Sequence, residues 1–550
     1  MKKLLLLFVC SFVLQATAQS TLTAEQWRED LKFIQNTVHA DYPFLFKKTT
    51  AEEFDAAVKE LDKAIPELQD HEIVVGFSKI IALFKYGHTD ISFRHETYAF
   101  RNFPFCLYQF NDGIYIQGTH RDHENALGAK VTAIGGVPID KALATIYPVV
   151  NSENEQYFKA FGINYLRFPE VLHATGLTKK LSETITLTLE KEGRVFDHEF
   201  KVMPKGERPP VKYSLIQQEG DWLEARDQSV TPQYLKHLDK HYYYEYLPEN
   251  KTVYVRQSSV FHDPTEDIST FYNRVFNFIE SNAVERLVID VRLNGGGNNF
   301  NNKDVITGII KTKKINQVGK LFVILGRRTF SACQNLVNEM DNYTNAIFVG
   351  EPTSENINFY GDNNELMLPN SGIPIYLSWA WWQDKPQWHN GPWLAPHIAV
   401  DMSFAEYSSN QDPVLQTALE FSSENFVLDP MQYMTDLYQR GESEKLLTEV
   451  KAMIADPKYQ FFDFEAELNT AGYNILGGGN VGEAIAVFSF VTQLFPDSAN
   501  AWDSLAEGYL KAGDKVKATE YYTKALNMDP EGPTGKNAKQ KLLELRHSKH

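Results

Sequence analysis

Cysteine is scarce. The 550-residue chain has three, which excludes a small disulfide-stapled scaffold. Cys10 falls in an N-terminal apolar run. Cys106 and Cys333 lie in apolar surroundings without a CxxC-type partner, so they read as buried thiols rather than metal ligands. Positive charge is also in deficit: 54 Lys and Arg face 71 Asp and Glu, a net charge of -17, which argues against a nucleic-acid binder that works by neutralising phosphates. Beyond the first residues there is no apolar run of membrane-spanning length, so no integral membrane segment is expected there. Met1–Ala18 itself reads as a secretory signal, with Lys2 and Lys3, the apolar stretch Leu4 to Leu14, and small residues at Ala16-Thr17-Ala18. The expected location of the processed chain is therefore periplasmic or extracellular.

What is present is core material. The 36 Phe and 27 Tyr exclude a disordered chain, and the length suggests roughly three or four domains. Apolar residues at three- and four-residue spacing from Thr23 to Phe84 predict a helical bundle, which defines residues 19–100. From Phe103 to Val202 the period shortens toward two, as in Ile185-Thr186-Leu187-Thr188-Leu189. Within this span Gly128 to Leu143 resembles the middle of a PDZ-like domain, and residues 101–205 are assigned to one. Residues 206–430 alternate short apolar runs (Val253-Tyr254-Val255, Leu287-Val288-Ile289, Leu321 to Leu325, Ile347-Phe348-Val349) with helical segments, the pattern of an α/β layer. In residues 431–550 Ala484 and Ala518, Phe488 and Tyr522, Gly479 and Gly513, and Pro496 and Pro530 are each offset by 34, the tetratricopeptide period.

Three segments carry candidate chemistry. In Gly326-Arg327-Arg328-Thr329-Phe330-Ser331-Ala332 a buried strand gives way to a helix. A serine at such a turn either caps the helix or presents its hydroxyl to a carbonyl, with the Ala332 amide aimed at the oxyanion. Asp290 to Asn298 ends another buried strand in Gly295-Gly296-Gly297, where the backbone either turns flexibly or approaches a ligand and offers an amide. His88, in Gly87-His88-Thr89, is either structural or a base able to take and return a serine proton. Five of the eight Trp (Trp379, Trp381, Trp382, Trp388, Trp393) crowd one stretch. They read equally as an apolar wall of a substrate groove, for which Trp382 and Trp388 are the candidates, or as a packed contact with the helical or repeat domain.

Together, Asp290-Val291-Arg292-Leu293-Asn294-Gly295-Gly296, Thr329-Phe330-Ser331-Ala332, Val349-Gly350-Glu351-Pro352-Thr353, Leu368 to Gly372 and Asp412-Pro413-Val414-Leu415 resemble the tail-specific (C-terminal-processing) serine peptidase family over most of Trp27 to Leu419. The resemblance implies a crotonase-like α/β peptidase core behind a PDZ-like domain, with Ser331 as nucleophile, the amides of Gly296 or Gly297 and of Ala332 as the oxyanion hole, and no cofactor or metal. One branch of the family uses a Lys after the Gly-Glu-x-Thr strand, and Ser354 to Asn358 has none. Gly87-His88-Thr89 fits the other branch, similar to the tricorn core and chlamydial secreted proteases, so His88 is the expected base. That branch also places a Glu before a Pro-containing strand, and His389 to His397 lacks one. Asn390, Asp362, Asp384 and Glu351 are the candidates to orient the histidine.

The resulting expectation is an exported serine endopeptidase acting on peptide or protein substrates, with a protein partner docked on the repeats and no nucleic acid bound. Two other readings stay open: a catalytically silent peptide- or protein-binding homologue that uses the PDZ-like and repeat surfaces, and a hydrolase of small esters or amides that uses the same residues.

Overall fold

The computed structural model of the protein describes residues 22–95 and 98–547. The expected leader Met1–Ala18, with Cys10, lies outside the described residues. The chain divides into two compact units, one of residues 22–109, 113–225 and 358–383, the other of residues 110–112, 226–357 and 384–547.

The first unit begins with the helices Ala24–Asp41, Ala51–Ala64 and Asp70–Ala82. Each starts at a capping box: Thr23 with Gln26, Thr50 with Glu53, and Gln69 with Glu72. These reciprocal bonds satisfy amides that the first helical turn leaves without partners. Trp27, Leu31, Ile34, Phe54, Val58, Ile73 and Phe77 recur at helical spacing and are buried, so the bundle follows from the periodicity. A seven-stranded sheet follows, whose longest pair, Thr184–Lys191 with Arg194–Lys201, is an antiparallel hairpin. Between its strands the chain runs through short helical pieces from Glu155 to Ala174. A third element completes the unit. The hairpin Phe359–Met367 and Pro374–Trp382 pairs with the strand Asp90–Ile91, in the register Asp90 with Tyr376 and Ile91 with Ile375. Thr89 Oγ1 and Ser378 Oγ, 289 residues apart, lie 2.7 Å from each other beside this junction.

The second unit is built on a six-stranded sheet. Thr252–Gln257, Arg286–Asp290, Leu321–Leu325, Ile347–Gly350 and Ile398–Ala399 run parallel, and Tyr242–Leu247 closes one edge antiparallel. Both faces are covered, which explains why the strands read as unbroken apolar runs. Val253, Val255, Leu287, Ile289, Leu321 and Val323 face the helices Ile268–Ser281, Asn302–Lys311 and Ala332–Tyr343. The alternate residues Tyr254, Val288, Phe322, Ile324 and Val349 face Pro413–Glu420, Pro430–Gln439 and Ser443–Ala455.

The helices Phe464–Gly477, Val481–Leu494, Ala499–Lys511, Lys515–Met528 and Pro533–His547 follow. The residues offset by 34 occupy matching environments: Ala484, Ala518, Phe488 and Tyr522 are all fully buried. Gly479 and Gly513, at φ 88° and 81°, end their helices in the left-handed conformation that a bare Cα tolerates. Among the described residues no helix is long and apolar enough to cross a membrane.

Candidate active site

In the second unit the parallel strands Arg286–Asp290 and Leu321–Leu325 end side by side, and the two loops leaving them are tied together. Phe330 N–H donates to Asn294 O (3.2 Å), and the Thr329 hydroxyl donates to Val291 O (3.1 Å) while accepting the Gly326 amide (3.1 Å). Arg292 anchors the first loop. Its guanidinium bonds Asp290 (2.9–3.0 Å) and, through two parallel bonds of 3.0 Å, Asp412, while Tyr254 donates to Asp290 (2.8 Å). Asp412 is also the N-cap of Pro413–Glu420. The sequence pattern linking Asp290, Arg292 and Asp412 is thus one buried ionic cluster, which is sustained by complete pairing.

Ser331 stands at the turn into Ala332–Tyr343 with φ 58° and ψ -131°, a region L-residues avoid. Its hydroxyl does not cap the helix, so the common use of serine at this point is not the one found. Gly296, at φ 103°, lies against it: a Cβ there would sit 2.6 Å from Ser331 Cβ and 3.0 Å from Ala332 N. Ser331, Ala332 and Gly296 are therefore brought together. The Gly296 amide donates to Asn294 Oδ1 (2.9 Å). The Ala332 amide belongs to the first helical turn, whose N–H groups have no intrahelical acceptor.

A residue not foreseen from the sequence completes this half. Glu355 is fully buried, and its Oε2 accepts the backbone N–H of Ser331. Its neighbour Ser354 is tied to Thr329 O through its amide (3.1 Å) and hydroxyl (3.3 Å). The acidic residue in an otherwise neutral buried stretch was the available signal.

Of the other candidates in this unit, Asp384 accepts from Asn335 (2.7 Å) and Asn338 (3.0 Å) on the Ala332–Tyr343 helix, and burial pushes its carboxyl up against the pull of those amides. Glu351 is bound by the Arg327 guanidinium at 2.6–3.1 Å. Asn390 is exposed. Trp388 is 82% exposed, whereas Trp393 packs on Phe461 of the segment leading to the C-terminal helices (6.2 Å).

In the first unit His88 lies in the turn between Asp70–Ala82 and Asp90–Ile91. Three side chains from the short helical segment and its approach grip the residue before it. Glu153 Oε1 accepts the Gly87 amide (2.9 Å), and Asn151 Nδ2 (2.9 Å) and Tyr157 OH (3.2 Å) donate to Gly87 O. Asn363 Nδ2 donates to His88 O (3.0 Å), and the imidazole stacks on Phe359 at 6.1 Å. Burial pushes the His88 pKa below its ordinary value, against the opposing pull of Glu153 and Asp362. Asp362 is thus the one orienter candidate whose charge acts on His88, and Glu153, unforeseen from the sequence, is a second. Trp382 is half-buried in this unit, and Trp381 packs on Tyr360 (4.8 Å) under the Lys47 ammonium (4.0 Å).

No family model matches the chain, and no curated protein matches it. Solved structures do. A crystal structure of a CPAF mutant aligns over 74% of this chain and 100% of its own, with 11% identity and a TM-score of 0.50. The photosystem II D1 C-terminal processing protease covers 70% of this chain and 94% of its own at 12% identity and a TM-score of 0.30. A Bacteroides fragilis structure described as an S41 protease covers 58% and 81% at 13% identity and a TM-score of 0.28. At 11% identity the likeness to the first of these speaks to the fold alone, that of a multidomain α/β protein.

Proposed function

We propose that the protein is an exported serine endopeptidase of the tail-specific type, in the His branch similar to the tricorn core, hydrolysing peptide bonds through an acyl-enzyme. The observation that carries this reading is the backbone of Ser331. A φ of 58° with ψ -131° costs about 1–3 kcal/mol at a non-glycine residue, and a serine serving only as a cap has no need of it. In this reading Ser331 Oγ attacks the scissile carbonyl and His88 accepts its proton. His88 then protonates the leaving amine, and water, activated by the same imidazole, releases the acyl group. The Ala332 amide and the Gly297 amide stabilise the oxyanion. Gly296, whose own N–H is given to Asn294, permits the close approach. The charge of Asp362 on His88 supports it as the orienter.

The parallel sheet covered by helices supports a crotonase-like core for the second unit. The sequence between Gly128 and Leu143 supports a PDZ-like peptide-binding domain at 101–205, which would take an extended segment by strand addition. The matched environments of Phe488 and Tyr522 support a tetratricopeptide segment that docks a protein partner. Hydrolysis of an unfolded protein substrate by wild type, Ser331→Ala and His88→Ala tests the reading. Both variants are expected to fold and to lose cleavage. Equal cleavage by all three overturns it.

A further inference from the structure

The first unit contains a cluster that the peptidase chemistry does not use. His71 and Glu72 lie in the first turn of Asp70–Ala82, and His173 lies in the last turn of Pro169–Ala174. His71 Nε2 and His173 Nδ1 are 2.8 Å apart, and Glu72 Oε1 is 3.8 Å from the same His173 nitrogen. All three ligand atoms lie within 4.8 Å of one another, the one such group among the described residues.

Proton counting shows what this arrangement lacks. Two neutral imidazoles in contact share one N–H, so one ring donates and the other accepts. Glu72 Oε1, an acceptor only, then faces a nitrogen whose proton or lone pair is already engaged. The carboxylate's other oxygen is committed to the Gln69 amide (2.8 Å), which aims Oε1 at the pair. Three electron-pair donors converge on one point, and a divalent cation satisfies all three.

Ligands about 2.0–2.1 Å from Zn²⁺ in a tetrahedral site are about 3.3 Å apart, so the histidine nitrogens would part from 2.8 Å and the His173–Glu72 pair close from 3.8 Å on binding. Local charge is mixed. A helix N-terminus disfavours a cation, but His173 sits at a helix C-terminus, which favours one. The nearby Arg101 has its charge taken up by Glu170 and Glu183. The side chains of His173 and Glu72 are 12% and 20% exposed. Glu72 and Ala174 also line an open cavity of about 580 Å³, which provides an entry path.

We propose that His71, Glu72 and His173 form a site for a divalent transition metal of the zinc class, with water as the fourth ligand. The ion joins the first turn of Asp70–Ala82, whose other end runs into the His88 turn, to Pro169–Ala174, the last of the short helical pieces that begin at Glu155.

The test is metal binding by the full chain after chelator treatment, with zinc chloride as probe. Bound zinc is counted by mass spectrometry after gel filtration, and the melting temperature is read with and without metal. The expected result is about one zinc per chain and a higher melting temperature with metal. His71→Ala, His173→Ala and Glu72→Gln should each weaken binding by at least the roughly 10–100-fold that even outer-shell changes cost, with native circular dichroism in the absence of metal. Absence of bound zinc, or zinc retained equally by folded His71→Ala and His173→Ala, overturns the proposal and leaves a hydrogen-bonded histidine pair.

Discussion

The buried carboxylate of Glu355 accepts the backbone N–H of Ser331. The bond gives the amide of Ser331, at its strained φ, a buried carboxylate acceptor. Deleting an acceptor from a buried donor costs about 1–3 kcal/mol. Glu355→Ala is therefore expected to lose that much stability in denaturant unfolding and to slow reaction at Ser331. Glu355→Gln keeps an acceptor oxygen and should recover most of both. Equal behaviour of the two variants would count against a positioning role.

Gly296 and Gly295 are neighbours with opposite tolerance. A Cβ on Gly296 would meet Ser331 Cβ at 2.6 Å and Phe330 O at 2.9 Å, at a φ of 103°. One on Gly295 would meet only Arg328 Nη2, at 3.7 Å. Gly296→Ala should reduce the rate of Ser331 acylation by about 10²–10³, the cost of disturbing an oxyanion site, while Gly295→Ala stays near wild type. The comparison is made by single-turnover kinetics with an ester substrate.

His88 has its pKa pushed down by burial. In the proposed mechanism the neutral imidazole is the base, so activity should persist as the pH falls below about 6.5, the ordinary histidine value. Below the unfolded pKa the unfolded chain binds a proton that the native ring resists. The contribution to stability is present above the unfolded value and is lost as the pH falls from there through the lower folded value. Glu153→Gln removes a charge that raises the pKa and keeps an acceptor for the Gly87 amide. It should move the acid limb of the pH–rate profile further down, and a shift upward would contradict the assignment.

Arg292 is shared by Asp290 and Asp412 in the core. Arg292→Ala leaves two buried carboxylates uncompensated and should cost about 3–5 kcal/mol, read from the urea midpoint. A loss below 1 kcal/mol, on the order of a surface pair, would show that the cluster is solvated.

Local chemistry was legible in the sequence where it depends on neighbours in the chain. The strand ending at Asp290, the turn at Ser331 and the helix after it lie where the apolar runs end. Ala484, Ala518, Phe488 and Tyr522, picked out by the 34-residue offset, are all buried. What escaped depends on distant pairing. The strand after His88 pairs with Tyr376 and Ile375, so the tryptophan-rich hairpin belongs to the unit that opens the chain, and periodicity carries no record of that. Glu153 and Glu355 escaped for a related reason: each is buried on a backbone amide far along the chain. A carboxylate read alone is taken for solvated surface. The absence of a lysine from Ser354 to Asn358 says nothing of Glu355, whose carboxylate reaches the Ser331 amide.

Covalent labelling of the folded protein by a fluorophosphonate, with the adduct mapped by peptide mass spectrometry, tests Ser331 as the nucleophile most directly. One adduct per chain on Ser331 Oγ, abolished in Ser331→Ala and strongly slowed in His88→Ala, is the predicted result. Folded wild-type protein that takes no label, or label that persists in Ser331→Ala, would contradict it.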